Sequence, residues 1–195
     1  MKFTIPIPID RRRLGTLLGN SAKLKREIEE TLNVKLIIDS ENGVVHVETE
    51  EELMPLKVMK LKNIFKAISL GFTPESVRKL LDDSNVLEIV DLKEVARNTR
   101  DLQRIKGRII GEEGKARKMI EDMTGVDLVI SEHEVGIIGD YEGVTAAREA
   151  VEMLVKGRTH STVYRFLRVK AREIRRRRME LWEKMGVTSN TINLS

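Results

Sequence analysis

The residues best suited to chemistry lie in one stretch, residues 107–125, which reads GRIIGEEGKARKMIEDMTG. Two apolar residues precede a turn that begins and ends with glycine, at Gly111 and Gly114. Glycine lets another backbone approach closely, and a helix that begins at such a turn presents free N–H groups. The pattern therefore predicts a helix, a turn and a second helix, with a turn that can receive a phosphodiester chain.

The composition limits the protein that could carry this turn. The chain has 195 residues, of which 41% are hydrophobic, so one large domain or two small ones can form a packed core. No apolar run approaches the length of a membrane span or of a secretion signal, and we expect a cytoplasmic protein without a membrane partner. With no cysteine and three scattered histidines, we expect neither a metal nor a cofactor. Because the net charge is only +4, any basic surface must be local.

Hydrophobic periodicity gives the elements of the first half of the chain. A strand is predicted at 3–9, and its two prolines, Pro6 and Pro8, have the same parity, which indicates an edge strand with one side free. The other predicted elements of this half are helices at 11–18 and 23–32, strands at 34–38 and 44–47, and a helix at 51–69.

The second half repeats this order. A capped start at Thr73 and Pro74 predicts a connecting helix at 74–81. Aligned without a gap, residues 15–38 and 107–130 are identical at eight of 24 positions, which indicates an internal duplication of one small α+β unit. The predicted elements after the connecting helix are a strand at 86–90, helices at 101–110 and 115–123, strands at 126–130 and 136–139, and a helix at 144–155.

The repeated unit resembles the type I KH domain, and residues 109–130 are similar to the signature of that domain almost throughout. The segments GFTPESVRKLLDD (71–83) and HSTVYRFL (160–167) resemble the archaeal Dim-two, or partner-of-Nob, family of ribosome-assembly proteins. The resemblance implies an α+β fold of two tandem type I KH domains, each a three-stranded antiparallel sheet packed on three helices. The implied divisions are a first KH domain at 1–70, a connector helix at 71–84, a second KH domain at 85–157, and a basic C-terminal helix with a frayed tail at 158–195.

The same resemblance implies a function. It predicts a non-catalytic factor that binds single-stranded RNA near the 3′ end of the small-subunit ribosomal RNA, through the second KH domain, during maturation of that subunit. The implied protein partners are the alpha subunit of translation initiation factor two and a Nob-type endonuclease, and no small-molecule substrate is expected. The alternative is an adaptor that docks these proteins, with RNA contact secondary.

The second repeat carries the expected RNA contacts. Its glycines let a sugar-phosphate backbone approach, its cations attract phosphate, and its aliphatic side chains can lie beneath unstacked bases. The alternative for each of these side chains is an ordinary core residue or a solvated helix face. The expected contacts are Arg108, Ile109, Ile110, Gly111, Glu112, Glu113, Gly114, Lys115, Lys118, Leu128 and Ile130, with auxiliary contacts at Arg104, Lys106, Arg117, Arg175, Arg176, Arg177 and Arg178.

Two carboxylates occupy the middle of the turn, Glu112 and Glu113, where KH domains favour a basic residue. Because carboxylates repel phosphate, either they point to solvent or the turn meets a basic partner. Paired carboxylates can also perform acid–base catalysis, but no nucleophile or metal-ligand set stands near them. We therefore expect no enzymatic activity.

The corresponding turn of the first repeat has lost its second glycine. It consists of Gly19, Asn20, Ser21 and Ala22, followed by Lys23. A side chain at Ala22 hinders close approach of another backbone. We interpret this turn as degenerate, serving as a protein-docking or auxiliary RNA surface, or as a structural copy that packs against its twin.

A strongly basic helix is predicted at 162–185, followed by a frayed tail at 187–195. Its four consecutive arginines, residues 175–178, point around most of the helix circumference, as a solvated face or as an arm that contacts phosphate. Trp182 is expected to anchor this helix by packing, and the alternative is that it stacks on a base. His46, His133 and His160 are expected to be exposed or to form local hydrogen bonds.

Overall fold

The computed structural model describes the backbone of residues 3–50 and 55–192, and the side-chain surroundings of residues 3–19, 22–50 and 55–183. The chain forms two compact units. The first comprises the described residues up to Glu94 together with Asp127–Asp140, and the second comprises Val95–Val126 with the described residues from Tyr141 onward. The division into repeats at 1–70, 71–84, 85–157 and 158–195 stays a prediction.

The first unit holds the strands, which form two three-stranded antiparallel sheets with the orders β1-β3-β2 and β4-β6-β5. Two similar sheets accompanied by helices confirm the α+β class. The elements of this unit are β1 (Phe3–Pro8), α1 (Leu14–Leu32), β2 (Lys35–Asp39), β3 (Val44–Thr49), α2 (Pro55–Leu70), α3 (Pro74–Lys79), β4 (Asn85–Asp91), β5 (Asp127–Ile130) and β6 (Glu134–Asp140).

The first sheet follows the predicted pattern. Among the described residues β1 pairs only with β3, with Pro6 opposite His46 and Pro8 opposite Val44, so the edge position expected from the two prolines is confirmed. Side chains alternate along β3, where Val45 and Val47 are fully buried. One face of this sheet therefore belongs to the core, as the alternation requires.

Helix α1 is continuous where two helices were predicted, and the described part of α2 agrees with its prediction. The two helices predicted at 11–18 and 23–32 are a single α1, preceded by a 3-10 turn at Arg11–Arg13. Leu17, Leu24 and Ile28 of α1 are buried at the helical spacing that places them on one face. α2 begins at Pro55, and the predicted start at 51 lies outside the described residues.

The segment after α2 packs against the second sheet. A Cβ atom at Gly136 of β6 would lie 2.6 Å from Cε2 of Phe72 and 2.9 Å from Cδ1 of Leu70, so both side chains rest on the backbone of that strand. Lys66 of α2 also forms an ion pair with Glu134 of β6, with Nζ and Oε2 separated by 2.8 Å. The first unit therefore has a common core that includes elements of both repeats, with Ile138 as a member.

The second unit is helical. It consists of α4 (Thr99–Ile110), α5 (Lys115–Thr124), α6 (Tyr141–Val155) and α7 (His160–Ile192), with a 3-10 turn at Glu112–Gly114. α7 continues through residues 187–192, where the sequence predicted a frayed tail, and residues 193–195 lie outside the described chain. No helix among the described residues is both long enough and apolar enough to cross a membrane.

Candidate nucleic-acid interface

The glycine turn joins α4 to α5, as the sequence predicted. Asn98 begins α4 by accepting a hydrogen bond from the backbone N–H of Asp101 at 2.9 Å, and Gly111 ends it with φ 75°. Glu113 and Gly114 also have positive φ values, 50° and 77°, before α5 begins at Lys115. The backbone N–H of Lys115 donates to the carbonyl oxygen of Glu112. No side chain among the described residues caps the start of α5, so the N–H groups that follow Lys115 in its first turn can bind an anion.

The two glycines of the turn have different surroundings. A Cβ atom at Gly111 would lie 2.6 Å from Cβ of Ala116 and 2.7 Å from its backbone N, so only glycine fits between the turn and α5. No atom of the described residues outside the turn lies within 4 Å of the corresponding position at Gly114. Gly111 therefore holds the turn against the helix, while Gly114 leaves open the space that an approaching backbone needs.

The charges around the turn nearly cancel. Glu112 and Glu113 are both exposed, and so are Lys115 and Lys118. In the described part of the chain, none of these four side chains forms an ion pair. The carboxylates therefore point to solvent, which was one of the two predicted alternatives, and the cations next to them supply little net attraction for phosphate.

Most of the predicted auxiliary cations are engaged within the protein. Arg104 donates a hydrogen bond to Asp101 at 2.9 Å, which lowers the pKa of that carboxyl group. Arg117 lies 3.3 Å from Glu121, and Lys106 also has an interaction partner. These side chains can reach RNA only by giving up or sharing their present contacts.

Arg108 has a structural role that the sequence did not reveal. Its Nε atom donates to the carbonyl oxygen of Leu154 at 3.1 Å, and its Nη2 atom donates to that of Arg158 at 2.5 Å. His160 Nε2 lies 2.9 Å from the carbonyl oxygen of Arg108, which can only accept, so this nitrogen carries the proton. These bonds connect Arg108, near the end of α4, to the end of α6 and the start of α7.

The apolar residues predicted beneath the bases divide into two pairs. Ile109 and Leu128 are fully buried, which corresponds to the alternative of ordinary core residues. Ile110 is 37% exposed, and Ile130 is half-buried. Only the latter two side chains offer surface to a ligand.

The first repeat keeps part of the turn geometry inside a helix. Ala22 has φ 56°, the left-handed conformation that Gly114 adopts in the second repeat, although α1 runs through it. The side chains of Asn20 and Ser21 lie outside the described residues, and Lys23 pairs with Glu27 at 3.9 Å. Arg78 of α3 also pairs with Glu27, so α3 is anchored beside this stretch of α1. The turn that the sequence predicted to be degenerate therefore lies beside another helix, α3.

The arginines at 175–178 separate into two groups. Arg177 pairs with Glu142 of α6 at 2.9 Å, and Arg178 also interacts within the protein. Arg175 and Arg176 lie on the exposed side of α7. Trp182 is 80% exposed, so the prediction that it anchors the helix by packing is wrong.

Comparison with known proteins assigns the chain to a family. A family profile described as a eukaryotic-type KH domain (KH domain type I) matches residues 86–172, which include the glycine turn. The crystal structure of Dim2p from Pyrococcus horikoshii is 36% identical, with a TM-score of 0.73, and the match covers 85% of this chain and 98% of that one. The chain belongs to the Dim2/PNO1 family. The predicted family, to which residues 71–83, 109–130 and 160–167 pointed, is thereby confirmed.

Two other Dim2/PNO1 relatives carry functional descriptions. A crystal structure of an a/eIF2alpha–aDim2p–rRNA complex from Pyrococcus horikoshii contains a chain that is 35% identical, with a TM-score of 0.76 and coverage of 89% of this chain and 96% of that one. The pre-rRNA-processing protein pno1 of Emericella nidulans is 29% identical over 179 residues, which cover 89% of this chain and 69% of that protein.

Proposed function

We propose that this Dim2/PNO1 protein consists of two tandem type I KH domains with a basic C-terminal helix, and that its second KH domain binds single-stranded RNA near the 3′ end of the small-subunit ribosomal RNA during maturation. The observation that carries the proposal is the open, left-handed Gly114 at the uncapped start of α5. A sugar-phosphate backbone can approach the turn there without meeting a side chain.

The proposed RNA contacts follow from exposure. The backbone of the turn from Gly111 to Gly114 meets phosphates, with Lys115 and Lys118 beside it. Ile110 supplies exposed apolar surface next to the turn, in a site for about four unstacked nucleotides, and Ile130 stays a predicted contact. Arg108 acts indirectly, because its hydrogen bonds to Leu154 and Arg158 fix the end of α4 from which the turn starts.

The proposal extends to partners. The protein in the Pyrococcus horikoshii complex assembles with both a/eIF2alpha and rRNA, which supports the same two partners for this chain. A Nob-type endonuclease is a further proposed partner that would perform the cleavage, since this chain acts as a non-catalytic factor in the cytoplasm.

A protein-docking adaptor is the second candidate. Glu112 and Glu113 are exposed and form no ion pair with the described residues, which favours this candidate because a basic protein surface would fit two carboxylates better than phosphate does. In this alternative the turn meets protein, and RNA contact is secondary.

A pair of matched variants separates the two candidates. Gly114→Asp places a carboxylate in the open space of the turn, and we expect the affinity for a single-stranded RNA from the small-subunit 3′ region to fall about tenfold or more. Gly157→Asp is the control, because Gly157 also has a positive φ, 84°, and open space around its Cβ position, but lies outside the turn. Binding is measured by salt-titrated fluorescence anisotropy.

The result decides between the turn and other surfaces. Loss of RNA affinity in Gly114→Asp alone supports the RNA site. Equal affinity in both variants and the wild type removes the turn as an RNA site and favours the adaptor.

A further inference from the structure

Five arginines form a continuous stripe on the solvent side of α7. The buried side of this helix is made of Val163, Leu167, Ala171 and Ile174. At about 100° of rotation per residue, the arginines fall within an arc of about 100° next to the buried side and span about 16 Å of helix. All five are exposed, and they are Arg165, Arg168, Arg172, Arg175 and Arg176. We refer to them as the α7 stripe.

The positive charge of the α7 stripe is almost uncompensated. Arg176 lies 3.6 Å from Glu180, whereas no carboxylate partner is found in the described chain for Arg165, Arg168 or Arg175. Residues 160–179 contain one acidic residue, Glu173, which pairs with Lys170 at 3.6 Å. Like charges one helical turn apart repel each other, so this face is suited to an external polyanion.

The chemistry of the stripe favours phosphate over an acidic protein. Guanidinium groups bind phosphate oxygens through two parallel hydrogen bonds, whereas a protein partner usually requires a contiguous apolar centre. Among the stripe's immediate neighbours, the exposed apolar side chains are Val169, at 44%, and Met179, at 61%. They lie ten residues apart, about 15 Å along the helix, so the two do not form one apolar centre. Trp182 follows Arg175 by two turns on the same side and is 80% exposed. Cations next to an exposed aromatic ring are the combination by which single-stranded RNA is held without sequence preference.

We propose that the α7 stripe is a second RNA-binding surface, which holds the phosphates of a single strand on its arginines and stacks a base on Trp182. The inference deepens the proposed function, because the ligand is again RNA. It also supplies the salt-dependent attraction that Glu112 and Glu113 cancel at the glycine turn. The stripe contacts RNA outside the roughly four nucleotides that a KH groove holds.

The test removes three stripe charges and compares two RNA lengths. The variant is Arg165→Gln/Arg168→Gln/Arg172→Gln, and the control is Lys35→Gln/Lys62→Gln/Lys156→Gln, which removes three exposed charges elsewhere. The probes are a single-stranded tetranucleotide and a single strand of about 20 nucleotides. Anisotropy is recorded between about 50 and 200 mM salt.

The salt slope is the slope of the logarithm of the affinity against the logarithm of the salt concentration. For the long strand, we expect the magnitude of this slope to be smaller by about 2 in the stripe variant than in the wild type and the control. Over the fourfold salt range, the wild type then loses about 16-fold more affinity than the variant. The affinity for the tetranucleotide should not change. Trp182 is the one tryptophan of the chain, so its fluorescence should be quenched by the long strand and not by the tetranucleotide.

Three outcomes would overturn the inference. The first is that the stripe variant binds the long strand with the same salt slope as the wild type. The second is that the variant loses as much affinity for the tetranucleotide as for the long strand, which would place the effect at the KH groove. The third is unchanged RNA binding with lost binding to polyglutamate, which would assign the stripe to an acidic protein. The two proposals can fail independently. In a Gly114→Asp background, the stripe substitutions should still reduce the salt dependence of long-strand binding, even if the glycine turn does not bind RNA.

Discussion

Gly111 and Gly114 look equivalent in the sequence but have different physical roles. Gly111 is required because its missing side chain lets Ala116 pack against the turn, and its φ is 75°. Gly114 has a similar φ but faces open space. Stability therefore depends on the first glycine, and ligand access depends on the second.

A pair of alanine substitutions tests the role of Gly111. Gly111→Ala should lower the free energy of unfolding by on the order of 3 kcal/mol, because the new methyl group meets Ala116 and the backbone is left-handed. Gly107→Ala, in the interior of α4 with nothing within 4 Å of its Cβ position, should raise it by about 0.5–1 kcal/mol. Chemical denaturation measures both, and a loss of the same size at the two positions would contradict the packing argument.

The sequence identified the turn but could not assign every side chain around it. The spacing of the glycines and the periodicity of the flanking helices are local, so they were readable. Whether Arg108 reaches RNA or the carbonyl groups that end α6 depends on a residue 46 positions away, Leu154. The exposure of Trp182 likewise depends on which neighbours the last turns of α7 have, and no local pattern records that.

At the scale of elements, the first repeat shows what losing a glycine costs. Ala22 adopts φ 56°, a conformation that costs a residue with a side chain about 1–2 kcal/mol. The sequence predicted two helices separated by a turn, and the structure has one helix with the left-handed residue inside it. Gly19 and Lys23 marked the repeat, but they could not show that the helix continues through the former turn.

Replacing Ala22 by glycine should stabilise the protein. Ala22→Gly relieves the strain of the left-handed backbone in the folded state. Because glycine also gives the unfolded chain more conformational entropy, part of this gain is lost, and we expect the free energy of unfolding to rise by about 0.5 kcal/mol. Ala146→Gly, at an ordinary buried position of α6, should instead cost about 1 kcal/mol or more. If both substitutions destabilise equally in thermal or chemical denaturation, Ala22 has ordinary helical geometry.

At the scale of the whole molecule, the repeats in the sequence and the units in the structure do not coincide. The sequence predicted the elements of both repeats in the right order because each hydrophobic pattern is local. The packing of Leu70 and Phe72 on β6 joins residues that belong to different repeats, and periodicity carries no information about such a contact. The core of the first unit therefore includes residues on both sides of the predicted boundary at 70/71, and that boundary stays a prediction.

A double-mutant cycle tests this shared core. Gly136→Ala should lower the free energy of unfolding by about 1–3 kcal/mol, because its methyl group meets Phe72 at 2.6 Å. In the background of Phe72→Leu, which shortens the opposing side chain, the loss should be smaller by at least about 0.5 kcal/mol. Additive effects of the two substitutions in chemical denaturation would show that the strand and the ring do not share one packing site.

The contact between Phe72 and β6 also has a consequence for synthesis. A ribosome that adds about 5–20 residues per second needs roughly 3 to 14 seconds to pass from Phe72 to the end of β6. During that interval the chain contains Leu70 and Phe72 but not yet the strand that covers them. The nascent chain therefore exposes apolar surface that the complete protein hides, and a translational pause between these two points lengthens the time in which it can aggregate.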